Sequence, residues 1–123
     1  MYFQAFSPDG TDLAVLTRSE LKVFDTRTWT VRVSRPAEAT ALSHLAYSPD
    51  GRLLLCTENV RKASVLDART LEPLLPMPDS AHPLEFTPDG RRLLVSVESR
   101  RLQLWDWTAV RAKFRELGID WRD

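Results

Sequence analysis

The side chains through which this chain could do chemistry are few: two histidines, one cysteine, two serines placed next to prolines, and two series of regularly spaced aspartates. Asp9, Asp50 and Asp89 recur in the phrases FSPDG, YSPDG and FTPDG, while Asp25, Asp67 and Asp106 close the phrases VFD, VLD and LWD. Converging carboxylates would suit general acid–base work, and a histidine beside a serine would suit acyl transfer. Ser7 and Ser48 lie in turn sequences, however, and neither His44 nor His82 has a motif-supported acid partner. No CxxC or HxxxH spacing offers zinc a ligand set. Cys56, inside the apolar run LLLCTE, reads as a small buried side chain, and as the single cysteine it cannot form an intramolecular disulfide. The expectation is a chain with no catalytic residue, no metal and no cofactor.

The repeated aspartates have a structural explanation. In each Pro-Asp-Gly, the proline (Pro8, Pro49, Pro88) presets φ at the second turn position and the aspartate (Asp9, Asp50, Asp89) tolerates the third. The glycine (Gly10, Gly51, Gly90) then supplies the positive φ of a type I turn followed by a bulge. Three of the four glycines are used in this way, and the fourth, Gly118, reads as the stop of a C-terminal helix. None is left for a phosphate-cradling loop.

The turns must join strands. The three turn glycines are 41 and 39 residues apart, and each is followed by an apolar run (DLAVLT, RLLLCTE, RRLLVSVE), a polar break and a second run ending in aspartate. Leu53 to Cys56 and Leu93 to Val95 do not alternate apolar with polar, which predicts strands buried on both faces. A period near 40 residues with short strands is that of a propeller blade. The 43% apolar content suits a soluble folded domain, and the balance of 17 basic against 17 acidic side chains gives no general attraction to nucleic acid or anionic membrane. The N-terminal MYFQAFSPDG lacks a signal-peptide pattern and there is no long apolar run, so the cytoplasm is the expected location.

The pattern F-[ST]-P-D-G, apolar strand, then V-F-D, V-L-D or L-W-D resembles the WD40 family of β-propellers, from Phe3 to about Trp107. The resemblance implies an all-β fold of three four-stranded blades: about 1–38, 39–79 and 80–107, the third lacking its outer strand, followed by a helix and tail over 108–123. The outer strands would be VRVS and LEPLL. The family's Gly-His pair and its aspartate between the second and third strands are missing, so the hydrogen-bonded tetrad they form is not expected; Trp105 alone keeps the tryptophan. The ending also resembles the tails of bacterial WD40 proteins, some of them kinase-linked, but no kinase motif is present.

After Asp106 the periodicity becomes helical. Thr108 is the expected cap, Val110, Phe114 and Leu117 the apolar face, and the helix with Ile119 and Trp121 is expected to cover the outer strand edge or a neighbouring surface. A membrane or partner-binding role is the alternative for that face.

Three functional readings follow. A propeller enzyme such as a lactonase or peptidase would need metal ligands or a triad. A binding module would use the loops between second and third strands, where Arg18, Arg61, Lys62, Arg100 and Arg101 gather with Glu20, Glu58 and Glu98; this is a face for acidic or phosphorylated protein segments, or a solvated rim of mixed sign. An assembly unit follows from blade number, since known propellers close with four to eight. The end blades would each leave roughly 300 Å² of apolar face open, around Leu13 to Leu16 and around Leu93 to Val97. Either the chain is the C-terminal part of a longer propeller, or copies join head to tail, a six-bladed dimer being favoured over a trimer. Neither nucleic acid nor membrane is an expected partner.

Overall fold

The computed structural model describes residues 2–40, 43–59, 62–77, 81–98 and 100–116. The apolar runs on either side of each Pro-Asp-Gly form antiparallel hairpins, and each hairpin is extended by the run that ends in aspartate. The first sheet is β1 (Phe3–Phe6), β2 (Asp12–Leu16), β3 (Glu20–Asp25) and β4 (Thr30–Pro36), hydrogen-bonded in that order. The second repeats it with β5 (His44–Tyr47), β6 (Leu53–Asn59), β7 (Lys62–Asp67) and β8 (Pro73–Pro76). The third has β9 (Ala81–Phe86), β10 (Arg92–Val97) and β11 (Arg101–Asp106), and the chain then enters helix α1 (Trp107–Glu116). The fold is therefore mostly β, in three antiparallel sheets with a short helix.

The sheets stack through two apolar cores. Ala14, Leu16, Leu21 and Val23 of the first meet Leu45, Leu54, Cys56 and Leu66 of the second. The opposite face of the second sheet carries Leu53, Leu55 and Val65, which meet Phe86, Leu93 and Val95 of the third. Strand β6 is thus buried on both faces, as its unbroken apolar run predicts. β10 is not: Leu93 and Val95 are buried, but Leu94 between them is half-buried. The apolar run is the same in kind, but among the described residues the third sheet has a neighbouring sheet on one face only, so the expectation of two buried faces is corrected there. The first sheet is open in the same way, with Leu13 and Val15 on its outer face and Ala14 and Leu16 inside.

Residues far apart in sequence clamp the first two sheets together. Arg35 Nη1 donates to the Leu71 carbonyl at 2.7 Å, and Arg32 donates to the Arg69 and Ala68 carbonyls at 3.0 and 3.2 Å while pairing with Asp12 at 3.1 Å. His44 Nε2 lies 2.8 Å from the Leu84 carbonyl oxygen, linking the second sheet to the third.

The helix starts two residues earlier than a Thr108 cap would place it and has a different cap. Asp106, not Thr108, accepts the Ala109 N–H at 3.1 Å, satisfying a donor that the first turn leaves free. In the first two repeats the equivalent aspartate begins a turn that ends in a left-handed residue: Trp29 (φ 57) and Leu71 (φ 63) donate their N–H to the Asp25 and Asp67 carbonyls, each at 2.7 Å. After Asp106 the sequence WTAVRAKFRE is rich in strong helix formers, so the turn propagates into a helix where the first two repeats return as a fourth strand. Trp107 packs edge-on against Phe86 at a ring-centroid distance of 5.1 Å, and Val110 packs into the core between the second and third sheets. This part of the helix closes the end of that core, a neighbouring surface, and also contacts β10 and β11. The side chain of Phe114, and Leu117, Gly118, Ile119 and Trp121, lie outside the described residues.

Candidate functional site

All three Pro-Asp-Gly turns join the first two strands of their sheets, at the same end of the strands, and are built alike. In the first, Asp9 Oδ1 accepts the Ser7 hydroxyl at 2.7 Å and the Thr11 N–H at 3.0 Å, and Ser7 Oγ in turn accepts the Asp12 N–H at 3.0 Å. Asp50 accepts Ser48 Oγ and the Arg52 N–H at 2.6 and 3.0 Å; Asp89 accepts Thr87 Oγ1 and the Arg91 N–H at 2.6 and 2.9 Å. Each glycine N–H closes the turn onto the preceding serine or threonine carbonyl, and Gly10, Gly51 and Gly90 hold φ of 76°, 76° and 73°.

These carboxylates are committed to their own loops. The Thr11 N–H, with the Ser7 and Thr11 hydroxyls, holds Asp9 down to about 2. Asp89 is lowered by the Thr87 hydroxyl and the Arg91 N–H, and Asp25 by the Arg27 N–H. A carboxyl stabilised as the anion is a poor proton donor near neutrality. The strand-end aspartates are turn formers too: Asp25 and Asp67 accept the Arg27 and Arg69 N–H, each at 2.8 Å. A shallow cleft between the first two loops is lined by Ser7, Asp9, Asp12, Pro49 and Asp50, with Pro8 beside Gly51. Burial, followed by the nearby Glu58, pushes the Cys56 thiol up to about 12, which keeps it in the thiol form near neutrality. Among the described residues no group of three His, Cys, Asp or Glu side chains is arranged to hold a metal ion.

The opposite end carries the basic loops. Arg18, Lys62, Arg100 and Arg101 are exposed there; Arg61 lies outside the described residues. Lys62 pairs with Glu58 at 3.4 Å and Arg101 with Glu98 at 3.8 Å. Glu58 differs from the loop charge expected of it. It is buried, accepts the Glu38 N–H at 2.9 Å, and its carbonyl accepts the Ser43 and Thr40 hydroxyls at 2.7 and 3.0 Å, so it anchors the connection between the first two sheets. Reasoning from sequence missed Glu58, Arg32 and Arg35 in these roles, because their partners are 15 to 37 residues away. The hydroxyls of Ser7, Ser48 and Thr87 were also missed, although the fixed spacing two residues before each aspartate was a readable signal.

Two further surfaces lie on the outer faces of the stack. On the first sheet Phe6, Leu13, Phe24 and Val31 stand opposite one another in register and form an apolar row across all four strands; the next row is Gln4, Val15, Lys22 and Ser34. On the third sheet the rows are Glu85, Leu94 and Leu104, then His82, Ser96 and Leu102. The open faces are therefore about half polar, which corrects the expectation of largely apolar ends. No protein-family model matches the chain, and no curated protein matches it. Among the described residues no helix is long and apolar enough to cross a membrane.

Proposed function

We propose that the chain is a non-catalytic WD40-like β-propeller unit whose three sheets are blades, acting as a protein–protein interaction scaffold and completing its ring with other copies of itself. The observation that carries this reading is the pair of outer faces that no other described element covers. One presents Phe6, Leu13, Phe24 and Val31, the other Leu94, Leu104 and Leu102, and they sit at opposite ends of the stack. Burying one apolar row of about 150 Å² on each face at ~25 cal/mol per Å² contributes roughly 7 kcal/mol. Because the two faces differ, the contact is head to tail, and two copies give a six-bladed ring. The recurrence of the same turn network in all three repeats supports the blade reading, and the commitment of the repeated aspartates to those turns supports a non-catalytic one.

Light scattering tests the assembly. The wild type should have twice the mass of the chain or a multiple of it, and Phe24→Glu, which places a charge in the apolar row, should halve that mass. A trimer would keep head-to-tail closure and refute six blades. A wild-type mass that Phe24→Glu leaves unchanged would overturn head-to-tail closure and favour the reading in which further blades of a longer chain cover these faces.

A further inference from the structure

The three sheets end outward in three different edges. β4 is interrupted by a bulge opposite Val23/Phe24 and ends in Pro36; β8 begins and ends in proline and is bulged opposite Val65/Leu66. Prolines and bulges are the devices by which an edge strand is kept from pairing with another chain. β11 has neither. It pairs with β10 over six consecutive residues without a shift, contains no proline, and among the described residues no strand covers its outer edge. It also exposes Leu102 (68%) and Leu104 (50%), both on the outer face.

We propose that this edge docks onto the same strand of a second copy of the chain, antiparallel, about a twofold axis passing beside Gln103. Two geometric conditions limit the register to steps of two residues, and side-chain complementarity chooses among them. First, the Trp107 N–H bonds to the Arg91 carbonyl at 2.8 Å, so alternation along the β10–β11 ladder makes Trp105, Gln103 and Arg101 the residues bonded to β10. The main-chain groups of Leu102 and Leu104 are left pointing to the open edge. Second, a twofold axis perpendicular to the sheet keeps outer face with outer face, so Leu102 and Leu104 must lie opposite residues of that same face.

With Gln103 opposite the partner's Gln103, both conditions hold. Leu102 stands opposite the partner's Leu104 in a doubly hydrogen-bonded pair, and Leu104 opposite the partner's Leu102, which brings four leucines together on one face. On the other face Arg101 stands opposite the partner's Trp105, a cation–π pairing. Arg100 falls opposite the partner's Asp106, which matches charge. A shift of two residues puts Arg100 opposite a leucine in one direction and Leu102 opposite Asp106 in the other, so neither alternative keeps the complementarity. The two three-stranded sheets become one sheet of six strands. This contact uses the edge of the third sheet, whereas head-to-tail closure uses its face, so each can fail without the other.

Cross-linking tests the register. Opposed residues of a non-hydrogen-bonded antiparallel pair have Cα atoms about 4.5 Å apart, within the range a disulfide spans. Gln103→Cys, oxidised by glutathione disulfide, which takes up the two electrons and leaves as two glutathione thiols, should convert to a covalent dimer. Cys56 is buried and does not compete. Arg101→Cys, facing Trp105 of the partner, should not give the dimer, and Phe24→Glu added to Gln103→Cys should leave the dimer intact. In the wild type, exchange of the Leu102 and Leu104 amides should slow as protein concentration rises. The proposal is overturned by a Gln103→Cys protein with a native circular dichroism spectrum that stays monomeric on oxidation, by equal cross-linking of Arg101→Cys, or by loss of the cross-link in the Phe24→Glu background. Should Gln103→Cys fail to fold, concentration-independent exchange of the two leucine amides overturns it, whether fast, as for an open edge, or slow, as for an edge covered by the chain's own tail.

Discussion

Ser7 Oγ stands between Asp9 and Asp12: it donates to Asp9 Oδ1 at 2.7 Å and accepts the Asp12 N–H at 3.0 Å, so one hydroxyl joins the turn aspartate to the strand that follows. Ser48 does the same between Asp50 and Leu53, with little exposure to water. Ser48→Ala should cost about 1–2 kcal/mol, because the Leu53 N–H loses a buried partner. Asp50→Asn keeps an oxygen acceptor and should be mild. Gly51→Ala should cost about 1 kcal/mol or more, since φ of 76° is strained for an L side chain and the new Cβ would stand 3.5 Å from Pro8. Denaturant titration of the three variants checks the order, and a binding or catalytic defect in Asp50→Asn with unchanged stability would point to a functional carboxylate instead.

The turn carboxylates also set an acid limit. Asp9 is lowered to about 2, chiefly by the Thr11 N–H, and Asp89 is lowered chiefly by the Thr87 hydroxyl. A depressed folded-state value means that the unfolded chain binds the proton more readily, so this stability is present above the ordinary aspartate range and is lost as pH falls from about 4 towards 2. Melting temperature should decline in that window, and Asp9→Asn should decline less steeply. Parallel curves for the two proteins would remove Asp9 as a contributor.

Arg35 should be the more sensitive of the two clamp arginines. Its partner, the Leu71 carbonyl, belongs to a residue 1% exposed and held at φ 63, so Arg35→Ala leaves that carbonyl without its donor next to the first core. The expected loss is about 1–3 kcal/mol by chemical denaturation, with little recovery in Arg35→Lys, which lacks the planar guanidinium. Arg32→Ala, whose side chain is more open to water, should lose less.

The basic end offers a separable binding test. Arg18→Glu with Arg101→Glu should leave the melting temperature within a degree or two, since both side chains are exposed. If this end takes acidic or phosphorylated segments, the double variant should abolish binding of a phosphoserine-rich probe peptide, and wild-type binding should weaken with salt. Equal binding by both proteins would leave a solvated rim, the role that the Lys62–Glu58 and Arg101–Glu98 pairs already favour.

What the chain determines by itself is local. Pro8-Asp9-Gly10 and its two copies define their turns through backbone preferences that act within four residues, and the β-runs between turn and aspartate were legible for the same reason. Cys56 was legible as buried because an unbroken apolar run needs cover on both sides. What only the tertiary structure decided depends on neighbours distant in sequence. Leu94 reads like Leu54, but one faces solvent and the other a second sheet, because sheet count and not residue type sets which faces are covered. Glu58 reads as a loop charge and is a buried anchor, because the Glu38 N–H, Ser43 and Thr40 converge on it only after the first two sheets stack. Asp106 matches Asp25 and Asp67 in the repeat yet caps a helix: the same side chain serves a turn or a helix start, and the residues after it together with the packing of Trp107 on Phe86 select between them.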